Sequence, residues 1–123
     1  MRALTSAFNL KGCDKSKFSR AIVNSGIIGK LKLPKELSRE NAHVAFVTIH
    51  LWRLTLENSA TNEKTDILEC IFKAIPTSIE AKSADLMRDE ITSENLLYIM
   101  TQLARSGKKR YLALAVKILI GKN

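Results

Sequence analysis

The chain has 123 residues, 46% hydrophobic and 26% charged, with a formal net charge of +8. That length suits one domain able to bury about two thirds of its unfolded surface without a metal or disulfide staple, and this composition argues against disorder. No stretch reaches the roughly 18 apolar residues that span a bilayer, and Met1–Leu10 is too short and interrupted for a signal peptide. The expectation is a cytoplasmic protein with no membrane partner.

Charge is sorted along the chain. Residues 1–36 carry eight Lys/Arg against two Asp/Glu, residues 37–94 six against ten, and residues 95–123 six against none. Such a field favours polyanions at the two ends, and it also lets a basic end meet the acidic middle of another copy. Two prolines and five glycines leave long stretches without a breaker, which favours helix.

Asp14 can cap a first basic helix whose buried stripe is Phe18, Ala21 and Ile22, with Gly26 and Gly29 ending it. Lys30–Pro34 reads as an extended basic connector, with a short strand possible where Leu31 and Leu33 alternate with Lys30 and Lys32. From Lys35 to Ala60 there is neither Gly nor Pro, and Ser38 is a candidate N-cap. Ala42, Ala45, Phe46, Ile49, Leu51, Trp52, Leu54 and Leu56 leave little polar face, so the spacing predicts a central, nearly engulfed helix. The β-branched Val44, Val47, Thr48, Ile49 and Thr55 argue for a strand, but such a strand would be unusually long.

Thr61 or Asn62 opens the next helix, with Ile67, Leu68, Ile71, Phe72 and Ile75 on one side and Pro76 closing it. Thr77 and Glu80 form a capping box for a helix ending near Glu90. Ser93 then starts a helix carrying Leu96, Leu97, Met100, Leu103 and Ala104 on one side, and Gly107 supplies its left-handed stop. Tyr111–Ile120 is apolar except for Lys117 and reads as core, forming an antiparallel hairpin with the helix before it. The fold class is therefore all-α: a single compact bundle of five or six helices. Its organisation is a basic N-terminal helix and connector (1–34), acidic middle helices (35–92) and a basic C-terminal helical hairpin (93–123).

Catalytic chemistry finds little support, and a non-enzyme is expected. His43 and His50 are seven apart, without a Cys, Asp or Glu at ligand spacing, so neither a metal nor another cofactor is expected. They read as core-edge or hydrogen-bonding residues. Cys13 and Cys70 read as free thiols, a single disulfide being the alternative. Gly26-Ile27-Ile28-Gly29-Lys30 lacks the spacer and the Ser/Thr of a phosphate loop.

Residues 4–24 could form a helix-turn-helix: Leu4–Leu10 as the first helix, Gly12 the turn and Asp14–Asn24 the reader. Phe18 and Ile22 would anchor the reader inward. Ser16, Arg20 and Asn24 would face outward, flanked by Lys17 and Ser19, and Lys15 is a further candidate contact. Arg can take guanine bidentately and Asn adenine, while Ser and Lys hold phosphates. The run Gly12, Asp14, Lys15, Ser16, Ser19 and Arg20 resembles the turn and recognition helix of phage regulators of the lambdoid CII kind, over about a dozen residues. The resemblance implies sequence-specific DNA binding by an oligomer, with base contacts from the second helix.

A second basic cluster, Arg105, Lys108, Lys109 and Arg110, brackets Gly107, and Tyr111 beside it could stack on a base. Together with Lys30 and Lys32, the two clusters point to a nucleic-acid partner, DNA before RNA, bound by a homo-oligomeric regulator. The alternative is an interaction or assembly module without a nucleic-acid role. In it the Tyr111–Ile120 helix would bury the contact with a protein partner or second copy, and a charge at Ile118 would break it.

Overall fold

The computed structural model describes residues 2–34, 38–75, 86 and 88–120. Among these the protein is all-α, with seven helices and no strand: α1 Arg2–Ala7, α2 Lys15–Asn24, α3 Ile27–Lys30, α4 Ala42–Glu57, α5 Thr61–Ala74, α6 Glu90–Arg105 and α7 Lys109–Ile120. The helix expected from Thr77 to Glu90 falls largely outside the described residues. Cys13 and Cys70 are unbonded and half-buried.

Helix α4 occupies the centre, as its nearly continuous apolar sequence requires. Ala45, Thr48, Ile49, Leu51, Trp52, Thr55 and Leu56 are all buried, and α1, α2, α5 and α6 pack around it. The one-sided stripe of α5 buries Ile67, Leu68 and Ile71, while Phe72 is only half-buried. Ser38 does not cap α4 directly. Its amide donates to Asn41 Oδ1 at 2.7 Å and its carbonyl accepts from Ala42 N at 2.9 Å, forming the turn that leads into the helix.

Local chemistry explains where several elements depart from expectation. Asp14 caps α2 as its sequence suggests, accepting from Lys17 N at 3.2 Å. Gly26 ends that helix at φ +78°, but Gly29 lies inside the single turn of α3. Leu31–Pro34 forms no strand; Leu33 N instead donates to the Ala74 carbonyl at 3.2 Å, and the Leu33 side chain is buried. Helix α6 starts at Glu90 rather than Ser93, because the Asp89 carboxylate accepts from Thr92 N at 2.9 Å. A carboxylate at a helix N-terminus also meets the positive end of the macrodipole.

The buried face of α6 is set by its packing on α4 and α7. Leu96, Ile99, Met100 and Leu103 point inward, and Leu97, expected inside, is 49% exposed. Gly107 makes the left-handed stop at φ +83°. Helix α7 packs against α6 through Tyr111, Ala115 and Ile118, but it is not engulfed: Leu112 and Val116 stay 49% and 45% exposed. Ile118 is fully buried, so a charge placed there would break the core before any contact between copies.

Candidate nucleic-acid interface

Lys15, Ser16, Lys17, Arg20 and Asn24 are exposed along the outer side of α2. Ser19 is not. It is fully buried, its Oγ donating to the Thr55 carbonyl at 2.8 Å and lying 2.9 Å from Ser59 Oγ. Its hydroxyl therefore ties α2 to the end of α4 and reaches no phosphate. The physical cause is helical phase: Ser19 sits beside Phe18 and Ile22 on the inward side, where a hydroxyl is tolerated only with a partner.

Residues 8–14 separate α1 from α2, roughly twice the three- or four-residue turn of a helix-turn-helix. Phe8 fills that connector and stacks edge-on with Phe18 at 4.7 Å, while Gly12 turns the chain at φ +85°. Arg20, whose side chain is 62% exposed, pairs with Glu63 of α5 at 3.3 Å. The residue type best suited to read guanine is thus partly neutralised by the acidic middle of the chain. Lys30 and Lys32 are exposed on α3 and just beyond it.

The C-terminal cluster is built differently. Lys64, Thr65 and Leu68 of α5, Gln102 and Arg105 of α6, and Ser106, Lys108 and Tyr111 at the hairpin corner line one cavity of about 190 Å³. Three cations from two separate stretches of chain converge there, and no described carboxylate lines it. Ser106 shapes the corner, its Oγ donating to the Leu103 carbonyl at 2.6 Å and accepting from Lys108 N at 3.3 Å.

Lys109 and Arg110 open α7 with no acid in its first turn. Cations at the positive end of a helix each cost a few tenths of a kcal/mol, about 0.3–1, so helix stability does not account for them. Local rules broken in this way mark functional or strained sites.

Glu69 of α5 offsets part of that charge. It accepts from the Tyr111 hydroxyl and from Arg110 at 2.8 Å, with Lys73 at 3.8 Å. The Tyr111 bond, followed by Arg110, Lys73 and Lys108, holds the Glu69 carboxyl below its usual range despite some desolvation. Burial first, and the Glu69 carboxylate second, push the Tyr111 phenol up to about 12. Tyr111 is buried, so it cannot stack on a base as expected; it is a strut that fixes the corner. Arg110 lies 5.4 Å from the Phe72 ring and 5.3 Å from that of Tyr111. Arg105, Lys108 and Lys109 remain exposed beside it.

This strut carries a pH dependence. Below pH 10, the ordinary tyrosine value, Tyr111 is protonated whether folded or not, and its contribution is whole. Between 10.0 and about 12 only the unfolded chain loses the proton, and stability falls by about 1.4 kcal/mol per pH unit. Urea midpoints measured across that range should drop in the parent, and the Tyr111→Phe variant should remove this part of the alkaline loss.

Sequence reasoning missed Lys64 and Gln102, which belong to the corner: Lys64 lies in the acidic middle of the chain, and Gln102 is an uncharged residue within the basic C-terminal segment. Both histidines stay apart from it. His43 is exposed on α4, and His50 is pushed below its usual value by burial and then by Arg53, in keeping with a core-edge role. Among the described residues no His, Cys, Asp or Glu cluster could hold a metal, and no helix is long and apolar enough to cross a membrane. No family model, curated protein or solved structure matches the chain.

Proposed function

We propose that the protein binds nucleic acid, holding the phosphate backbone in the corner between α5, α6 and α7, as a regulator of duplex DNA. The carrying observation is the convergence of Lys64, Arg105 and Lys108 on a cavity that no described carboxylate lines. A phosphate there would meet three cations and the Gln102 amide, with no covalent chemistry required. Lys109, exposed at the start of α7, extends the positive edge.

Helix α2 supplies the second contact. The Arg20–Glu63 pair joins it to the first turn of α5, where Lys64 follows Glu63. Lys15, Ser16 and Lys17 would hold phosphates, and Asn24 would approach base edges. Arg20 contributes to recognition only by leaving Glu63 for a phosphate or base. Replacing Lys17 and Arg20 together by alanine is expected to weaken binding about tenfold, as judged by titration of labelled duplex.

The test of the reading is fluorescence anisotropy of labelled DNA across a salt series. Affinity should fall steeply with salt, because each neutralised phosphate releases a counterion. Salt-independent binding, or none at low salt, would overturn it. Duplex RNA and single strands run in parallel show which nucleic acid is preferred.

A further inference from the structure

We propose that the phosphate gripped in the corner belongs to a nucleotide whose base is unpaired, and that this base lies in an adjoining groove along α6. The inference rests on the corner being a nucleic-acid site, and it adds the state of the strand held there. Glu94, Leu97, Tyr98, Thr101 and Arg105, at helical spacing on one side of α6, line a second cavity of about 420 Å³ together with Arg53 of α4. Gln102 and Arg105 line both cavities, so the groove opens beside the phosphate site. Tyr98 stands about two turns of α6 before Arg105, about 10 Å along the axis, a gap that a sugar and its base can bridge.

The two cavities differ in chemistry. No described carboxylate lines the corner, whereas Glu94 lines the groove and Glu57 accepts from Arg53 Nε at 3.1 Å. A second phosphate would meet that negative charge; an uncharged planar ring would not. Arg53 is set as the platform for such a ring. Its Nη1 donates to Asn95 Oδ1 at 3.1 Å, and its guanidinium lies 4.9 Å from the centre of the Tyr98 ring. Glu57 and Asn95 thus hold the guanidinium by its edge and fix its plane, while the side chain keeps 30% of its surface exposed. Arginine planes and aromatic rings are the surfaces on which unpaired bases stack. Leu97, exposed without an apolar neighbour to cover it, gives the groove an apolar wall, and Glu94, Thr101 and Gln102 offer hydrogen bonds to base edges. A paired base cannot enter, because its neighbours cover its faces and its partner covers its edge. Duplex on α2 with an unpaired nucleotide at the corner describes a strand end or a locally opened site.

Anisotropy titrations at one low salt concentration compare a blunt labelled duplex with the same duplex carrying a short single-stranded overhang on either strand end. At least one overhang should bind about tenfold tighter than the blunt form. Replacing the bases of that overhang by abasic sites keeps its phosphates and should remove the gain. Arg53→Lys keeps the charge but not the plane, and Tyr98→Leu keeps the bulk but not the ring. Each should lower the ratio of overhang to blunt affinity about fivefold, while Tyr98→Phe should retain it. The ratio cancels any general loss of binding, and far-UV circular dichroism checks that each variant keeps its helix content. A gain that survives the abasic sites, or one that neither Arg53→Lys nor Tyr98→Leu lowers, would overturn the proposal. Tight, salt-dependent binding of blunt duplex to which no overhang adds would sink the groove and leave the corner standing. Failure of every DNA to bind at low salt would remove both.

Discussion

Replacing Trp52 by alanine should cost about 3–5 kcal/mol, the largest loss expected of any single change in this protein. The side chain is wholly enclosed on α4, the helix against which α1, α2, α5 and α6 pack. Its removal both withdraws apolar surface and leaves a cavity that four neighbours would have to close. Folding free energies of small domains lie between about 5 and 15 kcal/mol, so the variant would stand close to unfolding.

Trp52→Phe separates packing from polarity. The indole Nε1 has no hydrogen-bond partner among the described residues, so phenylalanine forfeits volume but no bond. Its cost should be well below that of alanine, because the remaining ring leaves a smaller cavity. Urea titration followed by far-UV circular dichroism suits both variants, because Trp52 is the only tryptophan and its fluorescence vanishes with it. An alanine variant as stable as the phenylalanine one would mean that α4 is not enclosed.

Removing the three cations of the corner together, Lys64→Ala, Arg105→Ala and Lys108→Ala, should weaken DNA binding about 10²–10³-fold. Hydrogen bonds from charged donors contribute about 1.5–3 kcal/mol each, and one phosphate seldom engages all three fully. The slope of log affinity against log salt should become shallower by about 0.9 for each phosphate that the variant no longer neutralises. Stability should change little, because Arg105 and Lys108 are exposed and no described carboxylate pairs with any of the three.

Lys11→Ala is the matched control. It removes one positive charge from the exposed α1–α2 connector, which lines no part of that cavity, and should change affinity only about twofold through screened long-range attraction. Equal losses from Lys11 and from a corner lysine would reduce the corner to net charge alone.

Helix content was legible because periodicity is a short-range property. Asp14 at the start of α2, the breaker-free apolar run of α4 and Gly107 after α6 each act within one or two turns, and each sits where its local chemistry requires. Asp89 was legible by the same rule, but Ser93 is also a capping type, and the bond from Thr92 N to the Asp89 carboxylate is what places the start. Ser19 shows the limit more sharply. Its place between Phe18 and Arg20 suits an outer flank as well as an inner one, and only Thr55 and Ser59, far along the chain, decide which.

By itself, the order of residues determined that this protein is helical, that its charge gathers at both ends, and that α4 is the element most in need of cover. Tertiary structure alone decided which charges stay available. Glu63 and Glu69 neutralise Arg20 and Arg110, while Lys64, from the acidic middle, joins Arg105 and Lys108 at a cavity. The reason is distance: an ion pair forms within a few ångströms, and the groups that meet here lie some forty residues apart along the chain.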